Sequence, residues 1–371
     1  MERVQKKHIL KDLAKKYVFL AGPRQVGKTT LSKQLKEDSR YQYLNYDLAE
    51  DRQIITAGEW SRDKDLIVLD EVHKYPKWKS FLKGYYDTEG VPPSLLVTGS
   101  ARLAVYKKGN DSMVGRYFYH RLLPLSVKEM NLEPHEALQN LLNFGTFPEP
   151  LLAGSKQESR RWQQQYLERV IREDVTDLSN IRNLNKLTLL VDLLRQRVGS
   201  TISYAALARD LEVAPGTVKE WIEILEELFL IFRVTPYHKN VARSLLKEPK
   251  IYFFDATLAF DQKAHLENLV ALSLLKHSYF RQDTEGITTG LHYLRVKDGK
   301  EVDFLLLEDQ KPTQMIEVKH SDDELHKGLQ HFHKFLSSVP RFQIVKELRQ
   351  EKNINGVSIC RVADYLATLA I

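Results

Sequence analysis

The sequence predicts an α/β protein: a parallel sheet flanked by helices, then a helical segment with a winged-helix pattern, then a second, sheet-rich α/β region. Three observations carry this. Short apolar runs alternate with helical or loop segments from Tyr17 to about Leu125, few breakers interrupt the charged and apolar pattern from Ser159 to Arg197, and strand-like runs return after Pro249. At 371 residues the chain exceeds a comfortable single core, so three domains are expected, at residues 1–150, 151–248 and 249–371.

The first region yields five expected strands: Tyr17–Ala21, Tyr43–Tyr46, Leu66–Leu69, Ser94–Thr98 and Phe118–Leu122. Pro124 closes the last, because proline cannot donate to a ladder. In the second region Thr201–Leu211 reads as a short helix with Ser203 as N-cap, Pro215-Gly216 as a turn, and Thr217 to about Leu230 as a second helix. Small Ala205 and Ala208, with Leu207, Leu211, Val218, Ile222 and Leu225, allow the two helices to cross, and Phe229–Val234 is an extended run suited to a wing. The third region offers strands near Ile251–Phe254, His292–Arg295, Glu301–Leu307 and Gln314–Lys319, with a helix from about His265 to Lys276.

Composition bounds the function classes. A formal charge of +6 permits nucleic-acid contact, and a solvated basic surface accounts for it equally well. Apolar runs such as Leu66–Leu69 fall far short of the roughly 20 residues needed to cross a bilayer, so no membrane span is expected. The charged N-terminus lacks a secretory pattern, and a single cysteine, Cys360, excludes an internal disulfide. A cytoplasmic setting is expected.

The strongest motif is Gly22-Pro23-Arg24-Gln25-Val26-Gly27-Lys28-Thr29-Thr30, placed directly after an apolar strand and before a helix. Glycines let successive backbone N–H groups curl around phosphates, and the helix N-terminus adds positive partial charge. Lys28 is placed to reach the β- and γ-phosphates of ATP, and Thr29 to ligate magnesium. Leu66–Leu69 ends in Asp70-Glu71, at the strand end where open α/β sheets bind ligands. Asp70 suits the magnesium shell, and Glu71 suits activation of the attacking water. Thr98 and Ser100, after a further strand, read either as γ-phosphate sensors or as a plain turn. Arg102 and Arg116 read either as a transition-state arginine, supplied across subunits, or as surface ion pairs.

With these residues in view the sequence resembles prokaryotic AAA-like, additional-strand P-loop ATPases that carry a C-terminal domain of the restriction-endonuclease-like fold. Gly22–Thr30, Leu69-Asp70-Glu71-Val72-His73-Lys74-Tyr75-Pro76, Thr98-Gly99-Ser100-Ala101-Arg102, and Gly115-Arg116 with Leu123-Pro124-Leu125-Ser126 carry the resemblance. It implies a sensor strand between the P-loop and acidic strands, and a winged-helix middle domain.

A second group is Asp303 with Glu317 and Lys319. Residues two apart on a strand share a face, so Glu317 and Lys319 project together, and a hairpin brings Asp303 beside them. Two carboxylates can bind magnesium while a lysine activates water, the Asp…Glu-x-Lys set of restriction-endonuclease-like nucleases, and Glu267 matches the extra acidic residue on a preceding helix. Alternating charges on the solvated face of a sheet give the same pattern. The functional expectation is a magnesium-dependent ATPase acting on DNA in recombination or repair, as a homo-oligomer with a ring as one arrangement, and with a nuclease-like domain. The alternative is a nucleotide-controlled switch on protein partners.

Overall fold

The computed structural model describes residues 2–35, 40–99, 113–178, 181, 183–238, 248–296, 298–321 and 324–371. Arg102 and Ser100 lie outside the described residues. The chain divides into two compact units, Met1–Pro124 with Glu227–Phe229, and Leu125–Glu226 with Leu230–Ile371. The first unit ends its main span at Pro124, and the expected first boundary lay at residue 150.

In the first unit the strands β1 (Tyr17–Ala21), β2 (Tyr41–Asn45), β3 (Leu66–Asp70), β4 (Ser94–Thr98) and β5 (Tyr117–Arg121) form a parallel sheet in the order β2-β3-β4-β1-β5. Strands β1 and β3 are buried along their whole length, which is why they read as continuous apolar runs. The order places β4 between the phosphate-loop strand and the acidic strand, as the resemblance implied. A core of Phe19, Leu69, Val97, Trp60 and Trp78 packs one face of the sheet.

The second unit joins what the sequence separates. Its strands are β6 (Ile231–Pro236), β7 (Lys250–Phe253), β8 (Thr289–Arg295), β9 (Glu301–Glu308), β10 (Lys311–Lys319), β11 (Arg341–Val345), β12 (Lys352–Ile354) and β13 (Val357–Arg361). They form one sheet, in the order β12-β13-β11-β10-β9-β8-β6-β7. Strand β6, within the run expected as a wing, pairs antiparallel with β7 and parallel with β8 and so belongs to this sheet. That pairing is the physical reason the middle and C-terminal regions form one unit.

Helices Leu184–Arg195, Tyr204–Leu211 and Pro215–Glu227 precede β6, and Thr201 makes an isolated bridge to Lys250. Ser203 occupies the N-cap position, although its side chain makes no capping hydrogen bond. Pro215-Gly216 is the first turn of the second helix rather than a turn before it, because proline's fixed φ suits a position where the N–H has no intrahelical acceptor. The expected helix near His265 runs the full span Gln262–Glu285; Asp261 caps it by accepting from Lys263 N, and Gly286 ends it at φ +75°. Among the described residues no helix is long and apolar enough to cross a membrane.

Candidate functional site

The phosphate loop joins β1 to the helix Lys28–Gln34. A Cβ on Gly22 would lie 2.1 Å from the Leu122 carbonyl oxygen, so only glycine lets the loop pass beside β5. Gly27 is the N-cap at φ 99°, a left-handed conformation that opens the helix directly out of the loop. The first N–H groups of such a helix have no intrahelical acceptor and suit an anion. Lys28 is buried, and its ammonium donates to the carbonyls of Gly22 at 2.9 Å and Pro23 at 2.7 Å. Val26 is fully buried, whereas Gln25, Thr29 and Thr30 are exposed and Arg24 is half-buried. The loop is braced from behind: the Arg3 guanidinium donates to the carbonyls of Val26 at 3.0 Å and Leu123 at 2.7 Å.

Asp70, at the end of β3, is aligned with Asn45 on β2 and Thr98 on β4. Its carboxylate is 6 % exposed and gathers three hydroxyls. Thr98 donates to Oδ1 at 2.6 Å, while Thr29, at 3.2 Å, and Tyr43 donate to Oδ2. Thr98 is therefore a positioning residue for Asp70 in this geometry rather than a group turned toward phosphate. Hard oxygen donors from Thr29 and Asp70 meet at one place, which fits magnesium.

Glu71 follows in the left-handed region, at φ 57°, with its N–H bonded to Thr98 O at 3.0 Å. A non-glycine residue held there has its side chain re-aimed from the strand direction. His73 Nε2 lies 3.5 Å and Lys74 Nζ 3.6 Å from its carboxylate. Burial pushes the Glu71 carboxyl up, and Asp70 adds to the rise, against the pull of Lys74, Lys28 and Arg24. A raised carboxyl is a better proton acceptor near neutral pH.

Arg116 is elsewhere. It precedes β5, whose Tyr17–Tyr117 register puts it at the N-terminal edge of the sheet, roughly 17 Å along the strands from the loop edge. Its guanidinium forms a bidentate pair with Asp87, at 2.6 and 3.1 Å. It is not part of its own chain's phosphate site.

In the second unit β9 and β10 pair with Phe304 opposite Ile316. One step further, Asp303 N donates to Glu317 Oε2 at 3.4 Å, and Asp303 Oδ2 accepts from Val318 N at 2.9 Å. Lys319 Nζ lies 2.8 Å and His326 Nδ1 3.3 Å from Glu317 Oε1. Glu267, on the long helix, accepts from the Tyr252 hydroxyl at 2.6 Å. The predicted set is thus assembled, with Val302, Phe304 and Ile316 in the core and Val318 half-buried.

A residue the sequence reading did not single out sits among them. Lys250 Nζ lies 2.6 Å from Glu301, 3.4 Å from Glu267 and 3.7 Å from Asp303. Burial acts to lower the Lys250 ammonium, but the carboxylates of Glu267, Asp303 and Glu301 outweigh it and hold it charged. Burial first, then Glu317 and Glu267, push Asp303 well up, against Lys250. Among the described residues no group of three or more His, Cys, Asp or Glu side chains is arranged to hold a metal ion. Lys250 beside Asp303 and Lys319 beside Glu317 place two cations among these carboxylates.

Three family models match in succession. Residues 14–131 match the AAA domain. That span is similar to the AAA domain and lies almost wholly within the first unit. Residues 135–266 and 262–365 match two domains of unknown function, DUF8612 and DUF4143. An uncharacterized protein of Mycobacterium tuberculosis is 24% identical over 296 residues, covering 77% of this chain and 66% of that protein. A second, from Methanocaldococcus jannaschii, is 23% identical over 356 residues, covering 86% and 78%. The chain thus spans just under two thirds of the mycobacterial relative. Among solved structures, a RuvB variant of Thermotoga maritima gives a TM-score of 0.29 at 18% identity, covering 62% of this chain and 88% of that one. The Bacillus subtilis DNA clamp loader delta protein gives 0.25 at 13% identity, covering 60% and 87%. Likenesses this loose carry no argument.

In the first unit Thr29, Asp70 and Thr98 are joined by hydrogen bonds, and Lys28 is bonded to the loop carbonyls. Missing from the sequence reading were Arg3, Tyr43 and, in the second unit, Lys250. Tyr43 had a readable signal, a polar hydroxyl two residues before the end of the strand that flanks Asp70. Arg3 and Lys250 had none, since their partners are distant in sequence.

Proposed function

We propose that the chain is a magnesium-dependent ATPase acting on DNA in recombination or repair, working as a homo-oligomer. The observation that carries the ATPase reading is the convergence of Lys28, Thr29, Asp70 and Glu71 at one edge of a parallel sheet. Lys28 and the loop N–H groups bind the ATP phosphates, and Thr29 and Asp70 hold magnesium, which supplies positive charge beside them. Glu71 takes a proton from the water whose oxygen bonds to the γ-phosphorus. The bond from that phosphorus to the bridging oxygen breaks, and ADP leaves with the electron pair. Arg116, remote from its own loop, then belongs to a neighbour's site. The DNA reading is supported by the +6 charge and by the winged-helix order of three helices, the Thr201 bridge, β6 and β7.

Lys250 favours a second reading, a nucleotide-controlled switch on protein partners whose nuclease-like domain is silent. ATP turnover measured without DNA and with duplex, single-stranded and branched DNA separates the two. Stimulation by any DNA supports the first reading, and indifference to all selects the switch. Magnesium- or manganese-dependent cutting that is lost in Asp303→Ala and Lys319→Ala would restore the nuclease role to this cluster.

A further inference from the structure

The second unit holds a cavity of about 330 Å³ that neither the phosphate loop nor the carboxylate cluster uses. Its charged lining is of one sign. Lys156, Arg160 and Lys346 face it with His265 and His320, and none of its described lining residues is acidic. Among the described residues those three cations have no carboxylate partner. Elsewhere on this chain exposed cations are commonly paired, as Arg161 is with Glu158 and Arg172 with Glu168, so a like-charged, unneutralised cavity costs electrostatic repulsion that an anion would relieve.

Two helices begin at the cavity. Lys156 and Arg160 belong to the first two turns of the helix Lys156–Arg169, and Gln262 and His265 to the first turn of Gln262–Glu285. The first N-terminus, capped by the neutral Ser155, contributes positive partial charge to the cavity, whereas Asp261 caps the second with a carboxylate. The histidines are oriented by backbone carbonyls: His265 Nε2 lies 3.0 Å from Ala259 O, and His320 Nε2 3.0 Å from Lys263 O.

The cavity also has an aromatic wall. Phe260 is 51 % exposed, a high value for a large apolar side chain, and the Arg195 guanidinium lies 4.0 Å from its ring centroid. Arg195 is itself tied to Leu258 O at 2.8 Å, which holds the guanidinium beside the ring. A cationic pocket beside an exposed, oriented ring matches a phosphate joined to a base.

We propose that this cavity binds a nucleotide 5′-phosphate, with the attached base stacked on Phe260. The chemistry is shared by a mononucleotide and by the phosphorylated end of a nucleic-acid strand. The inference stands on the cavity alone and does not depend on the ATPase reading.

The test uses the full chain in EDTA, repeated in Lys28→Ala so that the phosphate loop does not contribute. Anisotropy of a short 3′-labelled single-stranded DNA is compared with and without a 5′-phosphate, and AMP is the competitor. The phosphorylated strand should bind about ten-fold or more tighter than its 5′-hydroxyl counterpart, as expected for charge-assisted contacts. The double charge reversal Lys156→Glu with Arg160→Glu, at exposed helix positions, should erase that preference while circular dichroism and the thermal midpoint stay unchanged. Phe260→Ala should weaken binding of both the strand and AMP. Full competition by AMP identifies a mononucleotide pocket, and AMP-insensitive binding identifies a strand end. Equal affinity for phosphorylated and hydroxyl strands, unaltered by the charge reversal, together with no AMP binding would overturn the proposal.

Discussion

Replacing Thr98 by valine deletes one hydroxyl while keeping the shape of the β4 end. Thr98 is fully buried, and among the described residues it supplies the hydrogen bond to Asp70 Oδ1, at 2.6 Å, while Thr29 and Tyr43 serve Oδ2. The substitution therefore strands one oxygen of a buried carboxylate. A hydrogen bond to a charged group contributes about 1.5–3 kcal/mol, so unfolding free energy should fall by about 2 kcal/mol. Loss of a partner that orients a metal-binding carboxylate typically weakens the metal about 10–100-fold. ATP turnover across a magnesium titration should show the half-saturating concentration rising by at least about ten-fold, with turnover largely recovered at saturation. Thr98→Ser should restore the parental requirement. An unchanged magnesium requirement with turnover lost at every concentration would refute the positioning role and place the hydroxyl on phosphate or water.

Lys28→Ala should abolish nucleotide binding or turnover, whereas Glu71→Gln should bind ATP and fail to hydrolyse it; normal turnover in Glu71→Gln would sink the assignment. Because burial raises the Glu71 carboxyl and the base must be deprotonated, turnover should be full above that raised value. It should then fall as pH drops through it, giving an acid limb above the ordinary glutamate range. Mixing Arg116→Ala with Lys28→Ala subunits should recover part of the lost activity, since one interface can pair an intact loop with an intact arginine; no recovery leaves Arg116 to its contacts within its own chain, the Asp87 pair among them. Glu129 and Lys276 form a buried ion pair in the second unit, so Lys276→Met should cost about 3–5 kcal/mol in urea unfolding by removing the cation from a buried carboxylate that keeps its contacts with Ser126. Adding Glu129→Gln, which removes that charge, should recover much of the loss.

The parallel sheet was legible because β1 and β3 are buried and apolar nearly end to end, and three of its strands lead into residues with chemistry to do: Gly22 after β1, Asp70 on β3, Thr98 on β4. Two strands match their expected limits, and β2 begins two residues early because Tyr41 and Gln42 continue its pairing with Leu66 and Ile67. The second unit was less legible. Its strands β11 to β13 passed unmarked, Arg341–Val345 carrying Arg341 and Gln343 buried within it, polar residues that disguise an internal strand. The membership of β6 in the large sheet rests on Thr235 and Pro236 meeting His292 and Tyr293, a pairing across more than fifty residues that no local pattern announces. Lys250 escaped for the same reason: from the sequence it is a charged residue before a strand, and only folding surrounds it with three carboxylates.

The support behind the phosphate loop has a consequence for synthesis. Gly22 packs against the Leu122 carbonyl, and Arg3 spans the carbonyls of Val26 and Leu123, so the loop's backing is drawn from both ends of the first unit. A nascent chain that has emerged only through residue 99 already displays every motif of the site in its sequence, yet it lacks β5 and the carbonyls that Arg3 ties together. Loop closure over some 120 residues is slow relative to local helix formation. Nucleotide competence is consequently a late property of the growing polypeptide, acquired when the fifth strand docks rather than when the lysine and threonine appear.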